Sequence, residues 1–422
     1  MFCEEISESW TSRPCRLKAA DFFESLGEKP FAFLYGDGAQ SRWLILGEEP
    51  LGVVREGRES LPVFHRRGDL PPVFPDFIGH INYEYANRYS SFLLPPAPKP
   101  FRFPDCHLAL YRKLRLYDRE TEILYTAERE APGALEGDLN TLGPEAFRAR
   151  KIWDSDSPKG YQDKVQRVRE EIAKGTVYQV NLTRQERWAY RGDLRIFARR
   201  LHDLNPAPFS AFIAGPEFAI VSSSPERFFR ISGGRILASP IKGTAPRADN
   251  HAADALLQRN LLSSPKDRSE LAMITDLMRN DLTLLCQIPS VRVETFPRLE
   301  TYANVHHLVA DISGELVPGL SLDALLGAIF PGGSITGCPK LTAMQLIREL
   351  EPNPRMVYTG ALGWFSHDLL QADFSIAIRT AWASPTELVF GVGGGVVWDS
   401  DPESEYQETV HKGSSILRCL NS

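Results

Sequence analysis

The stretch EFAIVSSSPERFFRISGGRILASPIKGT, residues 217–244, decides the fold class. Its apolar runs are short and broken by turn residues, with Ser-Gly-Gly at one bend, so it reads as strand, turn, strand, turn, strand. This is the pattern of an antiparallel meander. Near its end Lys242 stands between an apolar residue and a glycine. Taken alone it is a snorkelling side chain, and the alternative is an amine desolvated enough to act as a nucleophile.

Helical patterns flank the meander. Val165, Val168 and Ile172 recur at helical spacing, and Gly175 stands where a left-handed cap would end that helix. KDRSELAMITDLMRNDL and CPKLTAMQLIRELEPN read as helices, and a last helix is expected from about Glu403. TVYQVNLTRQERWAY and ELVFGVGGGVVWDS read as strands. Strands segregated from helices predict an α+β fold, packed sheets with helices outside. Residues 1–145 mix short apolar segments with turns. YRKLRLYDRETEILYTAER predicts a hairpin, the proline-rich residues 92–104 a surface connector, and residues 136–160 a linker. The chain thus divides into an N-terminal region, 1–145, and a second region, 146–422.

Composition excludes several classes. The 422 residues carry a net charge of −6, leaving no basic excess for nucleic acid. The acidic N-terminus lacks a signal peptide's pattern and no apolar run would span a bilayer, so a cytoplasmic protein is expected. Six cysteines without CxxC spacing predict free thiols.

Several clusters could carry chemistry. Glu405, Glu408 and Lys412 share one helix face; they are either an ordinary solvated face or carboxylates for a hard cation beside a lysine for an anion. Glu270 is similarly ambiguous. Gly393, Gly394 and Gly395 inside a strand mark a bulge or backbone amides open to a carboxylate. PGGSITGCPK lacks the Gly-Lys-Ser/Thr of a phosphate loop. His306 and His307, as strand neighbours, point to opposite faces. Glu226, just before a strand, is a turn residue or a partly buried general acid.

The motifs SPERFF, PIKGT, SELAMITDLMRNDL, VHHL, PGGSITGCPK, YTGALGW, IAIRT and GGGVVWDSDPESEYQET, in this order, resemble those of the chorismate-utilising enzymes. That family includes anthranilate synthase component I, aminodeoxychorismate synthase component I, isochorismate synthase and salicylate synthase. The resemblance runs from about Tyr161 to the C-terminus. It implies two large antiparallel sheets packed as a sandwich, helices outside, with the N-terminal region built in.

Within the family the lysine of PIKGT marks the aminodeoxychorismate branch, and Gln179 stands where isochorismate and salicylate synthases carry a water-activating lysine. The resemblance implies that Lys242 attacks the ring of chorismate while Glu226 serves as general acid. It implies Mg²⁺ on Glu270 and Glu408, with Glu405 acting through water. Arg379 and Tyr358 would hold the enolpyruvyl carboxylate near Gly393, Gly394 and Gly395. Lys412 would hold the ring carboxylate, Gly243 and Thr244 would line the ring, and His307 would sit by its face. No Gly-x-Cys-x-Gly glutaminase elbow is present. A separate glutamine amidotransferase subunit is therefore the implied source of ammonia. The alternatives are an anthranilate synthase component I and a non-catalytic chorismate-binding scaffold. The absence of a Leu-Leu-Glu-Ser element from FAFLYGDG weakens the expectation of tryptophan regulation.

Overall fold

The computed structural model describes residues 5–421 except 39, 58, 91–97, 132–138, 144, 303 and 304. Its strands form one continuous run, with Cys106–Asp118 at the middle. One edge of that strand pairs with Trp43–Val54, the other with Phe77–Ile81 and Ile123–Glu130. From Trp43–Val54 one arm continues through Phe31–Leu34, Phe209–Gly215, Phe218–Ser224, Thr380–Ala383 and Glu387–Val396 to Gln179–Arg191. From Phe77–Ile81 the other continues through Ala361–Phe365, Gln371–Ile376, Arg227–Ser232 and Arg235–Ala238 to Val305–Glu315. These pairings are antiparallel; residues 5–10 lie parallel to 63–68.

Side-chain alternation packs the arms face to face. Ala211, Ile213 and Trp382 of the first arm meet Leu362 and Trp364 of the second in one apolar layer. The intervening residues face outward: Phe31, Phe33 and Phe212 lie against the helices Leu194–Leu204 and Pro402–Leu420. On the far side Ile231, Leu308 and Phe374 pack on Leu271, Ile274 and Met278 of the helix Pro265–Thr283. The result is the expected sandwich with helices outside, its two sheets joined through a shared central strand. Strands from residues 1–145 occupy the middle of the run.

The hairpin Cys106–Asp118 with Ile123–Glu130 and the helix Pro158–Ala173 form as the sequence predicts, and Gly175 follows that helix at φ +76°. Two expectations change. The meander does not form throughout: Phe218–Ser224 belongs to one arm and Arg227–Ser232 to the other, so only Arg227–Ser232 and Arg235–Ala238 pair as neighbours. The chain crosses at Ser224-Pro225-Glu226, where Pro225 has no N–H to give a ladder. Residues 136–160 are not wholly a linker, because Arg148–Asp154 pairs with Gln179–Arg191. Its charged residues fall on both faces, which hides the period of a strand. Residues 92–97 of the expected connector lie outside the described residues, and 98–104 hold no helix or strand.

Candidate active site

The crossing between arms places Glu226. Its side chain is buried, and burial raises its pKa against a hydrogen bond from the Ser334 side chain and the charge of Lys242. Lys242 lies on the strand Ile241–Pro246, which runs along Val305–Glu315. Its ammonium donates to the carbonyl of Ser334 at 3.5 Å. Burial lowers the Lys242 pKa against the charges of Glu270 and Glu226. The acid is pushed toward its protonated form and the amine toward its neutral form. Those are the states that a proton donor and a nucleophile need.

Gly243 follows at φ +77°, and a Cβ there would stand 2.9 Å from the Cβ of Asp267. Its missing side chain lets the first turn of Pro265–Thr283 approach, bringing Glu270 toward Lys242. Thr244 is exposed, and its hydroxyl lies 2.9 Å from His307 Nδ1. The Nε2 of His307 is buried without a partner among the described residues, and burial, aided by the charge of Arg379, brings the ring's pKa down to about 3. His306 turns to the opposite face, toward Asp254 and Thr301, as strand alternation requires.

The strand Glu387–Val396 forms the other wall. One of its edges pairs with Gln179–Arg191 along its whole length, whereas its pairing with Thr380–Ala383 stops at Phe390. Beyond that point the second edge has no partner strand among the described residues. Each glycine there clears space for a different neighbour. A Cβ on Gly393 would meet Leu182 O at 2.4 Å; one on Gly394 would sit 3.1 Å from Glu405 Oε2 and 3.4 Å from Glu408 Oε1. One on Gly395 would sit 2.8 Å from Gln179 Nε2 and 3.3 Å from Lys242 Nζ. The amide of Gln179 is fully buried, and neither its nitrogen nor its oxygen has a partner among the described residues.

The helix Pro402–Leu420 supplies the acids. Glu405 is buried and accepts from Ser400 Oγ at 2.6 Å, and burial raises its pKa. Glu408 is held by Lys412 at 2.6 Å, and Lys412 also donates to Gly393 O at 3.0 Å. Burial raises the pKa of Glu270 as well, and the charge of Glu408 adds to the rise. No group of three ligand side chains stands close enough to hold a metal ion among the described residues. Magnesium, however, takes only one or two carboxylates and fills its shell with other oxygens. Glu405 and Glu408, whose oxygens converge on Gly394, fit such an ion.

The residues named from the sequence do not all share neighbours. Arg379, at φ +49°, makes no side-chain hydrogen bond or ion pair with a described residue. Tyr358 is buried with its ring over Gly391, beside the charges of Arg355 and Glu351. Sequence reasoning missed Ser334, which touches both Glu226 and Lys242; the run of small residues in PGGSITG was its only signal. A cavity of about 570 Å³ between the arms, lined by Ser41, Phe209, Arg227 and Asp373, includes none of the residues named from the sequence.

A helix-flanked sandwich that gathers a buried acid, a half-buried lysine and three further carboxylates at one strand end defines an enzyme for a small anion. The chain belongs to the chorismate binding enzyme family, whose profile matches residues 35–418. It is 37% identical over 381 residues to aminodeoxychorismate synthase component 1 of Salmonella typhimurium, covering 89% of this chain and 83% of the relative. It is 35% identical to the protein of that name from Escherichia coli, covering 96% and 97%. Anthranilate synthase component 1 of Aquifex aeolicus is 39% identical, over 88% and 79%. The fold matches that of anthranilate synthase component I from Streptococcus pneumoniae with a TM-score of 0.72 and 24% identity, covering 96% of this chain and 92% of that one. Among the described residues no helix is long and apolar enough to cross a membrane.

Proposed function

We propose that the protein joins ammonia to chorismate, giving 4-amino-4-deoxychorismate with its pyruvyl group retained. The observation that carries this reading is the placement of Lys242 between Glu226, Ser334 and Gly395. The relatives named aminodeoxychorismate synthase component 1 support it.

In the reaction, the neutral amine of Lys242 attacks C2 of the ring. The two ring double bonds shift from C1=C2 and C5=C6 to C1=C6 and C4=C5, and the C4–O bond breaks as Glu226 protonates the departing hydroxyl, which leaves as water. Ammonia then forms a bond to C4, both double bonds shift back and the C2–Nζ bond breaks, returning the neutral Lys242, while the proton shed by the added nitrogen returns to Glu226. Dividing one hard displacement into two is what a covalent intermediate offers. Gln179 cannot take a proton from water, because a neutral amide has no useful pKa, so hydroxyl exchange is disfavoured.

Chorismate is a dianion, and Arg379 and Lys412 are the cations for its two carboxylates. Arg379 and Tyr358 are assigned to the enolpyruvyl carboxylate, with the open edge at Gly393–Gly395 beside it. Gly243, Thr244 and His307 border the ring. Mg²⁺ belongs in this reading on Glu270 and Glu408, with Glu405 behind a water, where it would neutralise the ring carboxylate. A glutamine amidotransferase subunit is the proposed ammonia source, in keeping with the words component 1 in the relatives' names.

The test is to give the protein chorismate, Mg²⁺ and ammonium, and to separate the products. Aminodeoxychorismate is expected, together with a lysine adduct visible by intact mass. Lys242→Ala should lose both. Undiminished aminodeoxychorismate from that variant would remove the lysine role, and a product without its pyruvyl group would point to anthranilate instead.

A further inference from the structure

Lys266 has no place in the reaction above, yet it faces the acids. The helix Pro265–Thr283 begins at the Ser264 cap, so Lys266 stands in its first turn. A cation there opposes the helix dipole, which favours negative charge at that end. Asp267, its neighbour, obeys that rule. What offsets the misplaced charge is a carboxylate on the same helix. The Lys266 ammonium lies 4.0 Å from Glu270 Oε1, one helical turn on. Against burial, its charge draws down the pKa of Glu270, Glu405 and Glu408 alike.

The acids therefore have three cations beside them, the first being Lys242, whose charge acts on Glu270 and Glu408. Lys412 holds Glu408 at 2.6 Å and is tied to the glycine strand through Gly393 O. Among the described residues the Lys266 ammonium pairs only with Glu270, and 65% of its side chain is exposed to solvent. It can leave without breaking another contact.

We infer that Lys266 is a displaceable counter-ion of the Glu270 carboxylate that gives way when a divalent cation takes that charge. The inference rests on the reading of Glu270 and Glu408, with Glu405 behind a water, as the Mg²⁺ site and adds a residue that competes for it. An ammonium several ångströms from a bound dication opposes it by about 1 kcal/mol in water, before salt screening. Removing the ammonium should strengthen Mg²⁺ binding by about three- to tenfold. The competition is electrostatic and partly exposed, so the gain should shrink as salt rises.

The experiment is calorimetric titration of MgCl₂ alone into the full chain, comparing wild type with Lys266→Met. Lys113→Met is the control of equal charge, since Lys113 pairs with Glu49 on the N-terminal hairpin strand, outside the site. Tighter binding by Lys266→Met, an unchanged control and a difference that fades in high salt are expected. Equal affinity of wild type and Lys266→Met overturns the inference. Mg²⁺ binding that survives unchanged in Glu408→Gln, or is absent from the wild type, overturns the metal reading beneath it and the inference with it.

Discussion

The ammonium of Lys242 lies 3.5 Å from the carbonyl of Ser334, and the side chain of the same serine hydrogen-bonds Glu226. One residue thus touches both groups assigned to the chemistry. Attack needs Lys242 neutral and leaving-group departure needs Glu226 protonated, so the rate should rise and then fall with pH. Ser334→Ala removes a bond that favours ionised Glu226, and its pKa should climb. The limb of the profile that Glu226 sets should then move to higher pH, while Glu226→Gln should lose that limb and about 10²–10⁴ in rate. A profile unmoved in Ser334→Ala would break the link between serine and acid.

Gln179 predicts a trade between stability and activity. Its amide is buried with both polar atoms unpaired, a cost of about 1–3 kcal/mol in the folded state. Gln179→Leu should therefore unfold at equal or higher urea concentration while turnover falls. A variant that is less stable and fully active would contradict the placement of this amide against the substrate.

Arg355 predicts the reverse. Fully buried, it binds Glu351 through two nitrogens at 2.8 and 2.7 Å and also reaches the carbonyls of Ile335 and Asn181. Arg355→Met strands a buried carboxylate and should cost about 3–5 kcal/mol by urea denaturation. Adding Glu351→Met should recover part of that loss, giving a coupling well above the error of additivity.

A buried and a half-buried histidine set an acid limit. His80 and His107 stack at 6.0 Å, and burial lowers their pKa values to about 4 and about 3, from 6.5. Between those values and 6.5 the unfolded chain binds more protons than the folded one, so stability rises with pH and is lost as pH falls. Each histidine contributes a slope of at most about 1.4 kcal/mol per pH unit. Denaturation midpoints followed from neutral pH to about pH 4 should show this fall, shallower in His107→Leu.

The elements legible in the sequence were those with a local signal. The hairpin ending in DRETE and the helix closed by Gly175 are stated by their own residues. Phe218–Ser224 pairs with Phe209–Gly215 just before it but also with Thr380–Ala383, far along the chain, and Arg148–Asp154 is too charged to show a strand period; nothing local names these pairings. The site divides in the same way. Lys242 and the acids stand out by residue type once their motifs are read in order, and the glycines announce close approach. Ser334 acts partly through its main-chain carbonyl, which no residue letter encodes.

The strand Cys106–Asp118 and its neighbours fill the middle of the run, which bears on any attempt to isolate the second region. A chain cut to begin at residue 146 would leave Phe209–Gly215 and Ala361–Phe365 each with one bare edge, since Phe31–Leu34 and Phe77–Ile81 would be gone. Bare, apolar edges recruit strands from other molecules. Such a fragment should self-associate through these two edges, although it retains every residue assigned here to the chemistry.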